Sequence, residues 1–198
     1  IVLLTFVMLF VSGANLWHMG GLLAVGAAGA IVLTLSKGYR KNRLLAFRDP
    51  WGDPLGTGWQ LIQSLYSLGS GGLFGLGLAR SRQKLLYLPY PETDFIFAIC
   101  GEELGFLGAI VLILLFLILI WRGIRVALTA PDMFGSMVAA GIISMITIQV
   151  VINIAVVTAS MPPTGLPLPF ISYGGSSLAM FMTSIGVLLN ISRHCNAA

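Results

Sequence analysis

The sequence predicts an all-α polytopic membrane protein. We expect about four whole transmembrane helices, a truncated helix before them, and a large extracytoplasmic loop that contains short interfacial helices. Of the 198 residues, 57% are hydrophobic and only 9% are charged, whereas a soluble domain typically carries about 25% charged residues. Nucleic-acid binding would require a basic face on a soluble module, and this composition excludes such a module.

The apolar segments define the order of the elements. Residues 1–11 form an apolar run too short to span a bilayer, so we expect the cut end of a helix and a longer parent protein. Whole spans are expected at residues 20–36, 104–121, 134–158 and 177–191. The chain is interpreted as one membrane domain with three parts: residues 1–36, the large loop 37–103, and the last spans with the tail, 104–198.

Basic residues next to the spans predict the orientation. Arg122, Arg125 and Arg193 lie on one side, and the opposite short loop, residues 159–176, contains no Lys or Arg. The positive-inside rule makes the arginine side cytoplasmic, so the long loop faces outward. Five cations at the end of the first whole span oppose this orientation: Lys37, Arg40, Lys41, Arg43 and Arg48. They are discounted because their loop exceeds the roughly 60 residues over which the rule holds.

Within the long loop, residues 59–68 carry Gln60, Gln63, Ser64 and Ser67 at helical spacing and no charge. This pattern predicts a helix that lies at the membrane interface or between spans. A helix that only closes the loop explains the same periodicity equally well.

The acidic residues of the stretch 87–106 are the first candidates for chemistry. Asp94 precedes an apolar helix start, where a side-chain oxygen commonly caps the first N–H groups. The functional interpretation makes Asp94 a general base at the membrane surface, and the two roles are compatible. Glu102 and Glu103 follow at the next span, where the helix dipole favours acids. One of them is alternatively expected to face the substrate or a cation.

Residues 69–84 combine several glycines with Arg80, Arg82 and Lys84. The glycines would allow backbone N–H groups to approach a phosphate, which the cations would neutralise. A flexible loop with solvated charges is the alternative interpretation.

Two polar features mark the later spans. Gln149 and Asn153 are one helical turn apart, which favours a hydrogen-bonded link between helices over a polar transport path. The Pro-rich residues 159–177 predict either a re-entrant loop that lines a cavity or a rigid turn. In the first case residues 174–177 would cap the last span and present N–H groups to an anion.

Three longer motifs resemble those of one family. PETDFIFAICGEELGF (91–106), DPLGTGWQLIQSL (53–65) and TGLPLPFISYGGSS (164–177) are similar to motifs of the SEDS family of shape, elongation, division and sporulation proteins. SRQKLLYLP (81–89) is more similar to the FtsW and SpoVE branch than to RodA. The resemblance covers essentially the whole chain, as the second half of a ten-helix protein. Tyr90 and Thr164 depart from it, because many relatives carry Glu and some carry Lys at these respective positions.

The resemblance implies a peptidoglycan glycosyltransferase that polymerises lipid II at the outer face of the bacterial cytoplasmic membrane. Asp94 would be the catalytic base, and the donor sugar would react with inversion. The residues expected to bind the substrate are Lys84, Arg80, Arg82, Gln63, Glu103, Ser172 and Ser176. No cofactor is firmly implied, although a divalent cation, Mg²⁺ or Mn²⁺, is a candidate for stabilising the departing diphosphate. The implied partners are lipid II, membrane lipid and a class B penicillin-binding transpeptidase.

Two other functions fit parts of the pattern. A lipid II flippase or another transporter would need ionisable groups deep within the spans, and the sequence places none there. A non-catalytic scaffold for a penicillin-binding protein would retain its function when Asp94 is replaced.

Overall fold

The computed structural model describes residues 1–35, 47–56, 58–81 and 94–195, the first range with side chains up to residue 29. Regular structure within these ranges is helical. The helices are α1 (Val2–Val11), α2 (Leu16–Leu35), a short 3₁₀ helix (Pro50–Gly52), α3 (Trp59–Ser70), α4 (Ile96–Thr129), α5 (Met133–Val157) and α6 (Gly175–His194). The predicted all-α class is confirmed.

Three helices, α4, α5 and α6, are long and apolar enough to cross a membrane. The ends of α5 and α6 agree with the predicted spans to within three residues. α1 corresponds to the expected truncated helix, and α2 covers residues 20–35 of the span predicted at 20–36. Their described apolar parts, Val2–Val11 and Leu16–Gly29, are shorter than the other three helices.

The chain divides into two compact units. The first contains Ile1–Gly38, Leu117–Ile148 and Ala179–Ala198, and the second contains Tyr39–Phe116 and Gln149–Leu178. The core of the first unit consists mainly of small side chains: Ala127, Ala139, Ala140 and Leu188. Small residues let membrane helices approach closely, which explains the Ala-rich composition of this core. The candidate site lies in the second unit.

α4 continues beyond residue 121, where the sequence predicted the end of its span. Arg122 and Arg125, expected in a short loop, lie on this continuation. Their guanidinium carbons lie 5.7 and 4.7 Å from the ring centroid of Trp121. Cation–π contacts and long aliphatic stems allow arginines to remain on an otherwise apolar helix. The helix ends before Pro131, because the residue before a proline disfavours helical backbone.

α4 is interrupted at Gly105, whose φ of 71° and ψ of −172° are not helical. Backbone groups on both sides of the break thereby lose their intrahelical partners, and residues 72–77 replace them. Four hydrogen bonds of 2.9–3.2 Å form between the two segments. After the break, the N–H groups of Phe106 and Leu107 donate to the carbonyl oxygens of Gly72 and Leu73. Before the break, the carbonyl oxygens of Glu102 and Glu103 accept from the N–H groups of Leu76 and Gly77. The predicted start of the span at residue 104 coincides with this break, although the helix itself begins at Ile96.

α3 is packed inside the second unit, which favours the interpretation of a helix tucked against the spans. Its buried residues include three polar ones, Gln63, Ser64 and Ser67. The Ser64 hydroxyl donates to the carbonyl oxygen of Val157 at 2.8 Å. Because a buried hydroxyl needs a partner, this bond ties α3 to the end of α5.

The close approach of α3 to α4 depends on glycine at position 71. A Cβ atom at Gly71 would collide with the carbonyl oxygen of Gly101, whereas one at Gly69 would meet open space. We expect Gly71→Ala to lower the free energy of unfolding by about 1–3 kcal/mol through overpacking. Gly69→Ala, the matched control within α3, should be neutral or stabilising by up to about 1 kcal/mol, because alanine favours helix. Thermal unfolding of the full-length protein in detergent measures both, and equal stability of the two variants would contradict the prediction.

Candidate active site

The buried side chain of Asn153 on α5 connects the segments that form the site. Asn153 is 1% exposed. Its Nδ2 donates to the carbonyl oxygen of Asp94 at 2.9 Å and to that of Leu166 at 2.8 Å. An amide nitrogen has two N–H donors, so both are used. Asn153 forms a hydrogen-bonded link as expected, but its partners lie before α4 and in the loop after α5 rather than on another helix.

The side-chain amide oxygens of Asn153 and Gln149 accept no hydrogen bond from the described residues. Within the part of the chain that the structure describes, Asn153 Oδ1 and Gln149 Oε1 are buried without a hydrogen-bond partner. Leaving a buried acceptor unsatisfied costs about 1–3 kcal/mol. The link through the Asn153 nitrogen is thus retained at an energetic cost.

Asp94 lies at a small cavity two residues before α4 begins. The cavity has a volume of about 180 Å³ and is lined by Gln60, Asp94, Phe95, Val156, Pro163, Thr164, Gly165 and Leu166. Asp94 itself is partly exposed. A Cβ atom added to Gly165 would lie 3.6 Å from Asp94 Oδ2, so the carboxylate lies close to the backbone of the Pro-rich loop. Gly165 adopts a φ of +73°, which favours glycine at this position.

The Pro-rich loop is held by its own hydrogen bonds. The Leu168 N–H donates to Ser172 Oγ at 2.7 Å, and the Ser172 N–H donates to the Leu168 carbonyl oxygen at 3.1 Å. Leu168 and Pro169 are buried. These bonds hold residues 168–172, which follow the loop residues 163–166 that line the cavity, so the loop is more than a simple turn.

A buried carboxylate lies near the start of α4. Glu102 is 1% exposed, and its Oε2 accepts a hydrogen bond from Ser81 Oγ at 2.6 Å. Ser67 Oγ lies 3.2 Å from the same oxygen and 3.0 Å from the carbonyl oxygen of Ala98, so its single proton is shared between two acceptors. These contacts join α3, α4 and the chain at Ser81.

The glycines of residues 69–84 were expected to let backbone N–H groups bind a phosphate, and in the structure they pack against α4 instead. The N–H groups of Gly75, Leu76, Gly77 and Arg80 donate to backbone carbonyl oxygens of the chain, so they are occupied and do not form an anion cradle. The positive φ angles of Gly75 and Gly77 allow the approach to α4 instead. The side chain of Arg80 is exposed. Arg82 and Lys84 lie outside the described residues.

The remaining expected substrate-binding residues occupy different environments. Gln63 is buried in α3 and does not line the cavity, whereas Gln60, one turn earlier, does. Glu103 is partly buried, Ser172 is buried in the loop, and Ser176 is exposed at the start of α6. Their role in substrate binding stays a prediction.

Sequence reasoning did not select Gln60, Thr164 and Gly165 as site residues, although the structure places all three at the cavity. Each belongs to one of the motifs quoted above. Their presence in these motifs was therefore the sequence signal that they belong to the site. Helical spacing within α3 did not show that Gln60, rather than Gln63, lines the cavity.

The described residues do not form a metal cage. Mg²⁺ and Mn²⁺ prefer several oxygen ligands, and no group of three His, Cys, Asp or Glu side chains converges in the described ranges. Mg²⁺ is usually held by only one or two carboxylates together with substrate phosphates, so the divalent cation expected at the departing diphosphate stays a prediction.

Comparison with known proteins identifies the family. The model of the FtsW, RodA and SpoVE family, described as cell cycle protein, matches residues 1–197. Stage V sporulation protein E of Bacillus subtilis strain 168 is 59% identical over 188 residues, which cover 95% of this chain and 51% of the relative. The probable peptidoglycan glycosyltransferase FtsW of Geobacter sp. strain M18 is 47% identical over 192 residues, covering 97% and 52%. The chain spans about half the length of the curated relatives it matches.

Solved structures show the same relationship. One match is a chain from a structure titled as the structural coordination of polymerization and crosslinking by a peptidoglycan synthase complex. That chain is 34% identical with a TM-score of 0.75, and the match covers 98% of this chain and 54% of that chain. The rod shape determining protein RodA of Thermus thermophilus is 36% identical with a TM-score of 0.50, covering 68% and 40%. The chain belongs to the FtsW/RodA/SpoVE family of cell cycle proteins, which are integral membrane proteins, and it contains helices that can span a membrane.

Proposed function

We propose that the protein containing this chain is a peptidoglycan glycosyltransferase that polymerises lipid II into β-1,4 glycan strands during cell division or sporulation. The names of the FtsW and SpoVE relatives support this activity. The observation that carries the proposal is the Asp94 carboxylate, which is partly exposed at a cavity with fixed walls. A general base requires this combination of access and fixed position.

The proposed reaction uses Asp94 as the proton acceptor. Asp94 takes the proton from the 4-hydroxyl of the acceptor sugar, and the resulting oxygen attacks the anomeric carbon of the donor MurNAc. The bond between that carbon and the diphosphate oxygen breaks, and undecaprenyl diphosphate leaves with the electron pair. Attack opposite to the leaving group converts the α-linked donor into a β-linked product.

The size of the cavity fits a part of this reaction. Its volume of about 180 Å³ is below the roughly 300–1,000 Å³ of sites that enclose a drug-sized ligand. It can admit a hydroxyl-bearing part of a sugar ring. The polar side chains of Gln60 and Thr164 at its edge can bind sugar hydroxyls, while Phe95 and Val156 provide apolar contacts.

The departing diphosphate needs positive charge. Arg80, Arg82 and Lys84 supply it in this proposal, because cations that face the developing charge lower the barrier. Ser81 follows Arg80 directly, and its hydroxyl donates to the buried carboxylate of Glu102. The buried carboxylate thus anchors the chain next to Arg80, whereas Arg82 and Lys84 lie outside the described residues.

The proposal includes a location and a partner. The active site faces outward from the bacterial cytoplasmic membrane, in agreement with the arginines on the opposite side. The partner is a class B penicillin-binding transpeptidase, which the similarity to a chain of a peptidoglycan synthase complex supports.

Replacing Asp94 tests the base. In the full-length protein with its partner, we expect Asp94→Asn and Asp94→Ala to reduce polymerisation of labelled lipid II by about 10²–10⁴-fold, the usual contribution of a general base. Asp132→Asn is the matched control, because Asp132 Oδ2 only accepts a hydrogen bond from the Gly135 N–H and asparagine caps a helix equally well. Normal glycan strands from both Asp94 variants would remove Asp94 as the base.

A double-mutant cycle tests the anchor. We expect Ser81→Ala and Glu102→Gln to show a coupling free energy of unfolding of about 1 kcal/mol, because each variant weakens the same buried hydrogen bond. The control pair is Ser70→Ala with Glu102→Gln, since the Ser70 hydroxyl donates to the Ser67 carbonyl oxygen. Denaturation of the full-length protein in detergent measures both cycles. Additive effects of Ser81→Ala and Glu102→Gln would show that this bond does not anchor the segment.

A further inference from the structure

The orientation of the Asn153 amide is determined by its surroundings. Two carbonyl oxygens lie 2.9 and 2.8 Å from the same side-chain atom, and only the NH₂ end of an amide can donate to both. Because Asn153 is 1% exposed, water does not compete for these bonds. The opposite end, Oδ1, is left without a donor among the described residues.

The two carbonyl oxygens belong to two different walls of the cavity. One is the backbone oxygen of Asp94, the residue that carries the reacting carboxylate. The other belongs to Leu166, which follows Thr164 and Gly165 in the Pro-rich loop and lines the same cavity. A single short side chain therefore sets the distance between the base and the wall that faces it.

The support behind this link is rigid. Asn153 lies within α5, and Val150, Val156 and Val157 on the same helix are buried. A side chain with two χ angles on a packed helix restricts the positions of its hydrogen-bond partners more than a side chain on a loop does. Gln149, one turn earlier, also has a buried side-chain oxygen, but it is not among the residues that line the cavity.

We infer that Asn153 is a positioning residue for Asp94: its amide fixes the backbone of Asp94 against the Pro-rich loop, so that the carboxylate reaches the acceptor hydroxyl at the correct distance. This inference rests on the proposed glycosyltransferase function and specifies how its base is held. Asn153 does not touch the reacting atoms, and it acts through Asp94.

The experiment compares isosteric variants of the full-length protein with its partner, using lipid II polymerisation normalised to folded protein. Asn153→Leu removes both donors, and Asn153→Asp keeps the shape but replaces the donating nitrogen by an oxygen. For both we expect kcat to fall about 10–100-fold, since a misplacement near 1 Å can cost about 10²-fold. KM for lipid II should change much less. Gln149→Met, the matched control on the same helix, should polymerise at the wild-type rate.

Two further measurements separate positioning from general stability. In the Asp94→Asn background, Asn153→Leu should cause little additional loss, because residues that act as a unit are not additive. Hydrogen exchange of residues 163–172 should be faster in Asn153→Leu than in Gln149→Met, and this readout does not depend on activity.

The outcomes are distinguishable. Wild-type kcat in Asn153→Leu, or the same fold-loss in the wild-type and Asp94→Asn backgrounds, would overturn the positioning role alone. Full activity of Asp94→Asn would remove Asp94 as the base and with it the catalytic purpose of the link, whatever the exchange rates show. Absence of lipid II polymerisation by the wild-type protein with its partner would overturn the proposed function itself.

Discussion

Backbone groups that lose their helical partners and are shielded from water must be satisfied by the protein itself, because an unpaired buried N–H or carbonyl group costs about 1–3 kcal/mol. This constraint governs the second unit. The break at Gly105 frees groups of α4, and residues 72–77 satisfy them through four backbone hydrogen bonds. Asn153 does the same for the carbonyl oxygens of Asp94 and Leu166. Both solutions bring segments together that are distant in the chain.

The candidate site is a consequence of these links. Asp94 precedes α4, Asn153 belongs to α5, and Leu166 lies in the loop that follows α5, yet two hydrogen bonds from one amide connect all three. Glu102 adds a second connection through Ser67 and Ser81. A carboxylate at the edge of a cavity is useful to a reaction only when its surroundings hold it, and here the Asn153 amide on α5 does so.

The motifs that carry the family resemblance meet at this place. Residues 53–65 supply Gln60, residues 91–106 supply Asp94 and Phe95, and residues 164–177 supply Thr164, Gly165 and Leu166 to one cavity. The convergence gives a physical meaning to motifs that are separate in sequence. It also distinguishes residues that line the cavity from motif residues that do not, such as Ser172, which accepts a hydrogen bond from the Leu168 N–H.

Composition and hydrophobic runs by themselves determined the membrane class, the all-α fold and the positions of the long helices, because burial in lipid requires continuous apolar helices that are visible in the chain. The sequence also indicated Asp94 and the linking role of Asn153. Only the tertiary structure decided that Gln60 lines the cavity, that Gln63 does not, and that the glycines after α3 pack against a broken helix. These facts depend on contacts between distant segments, and neither periodicity nor local propensity records such contacts.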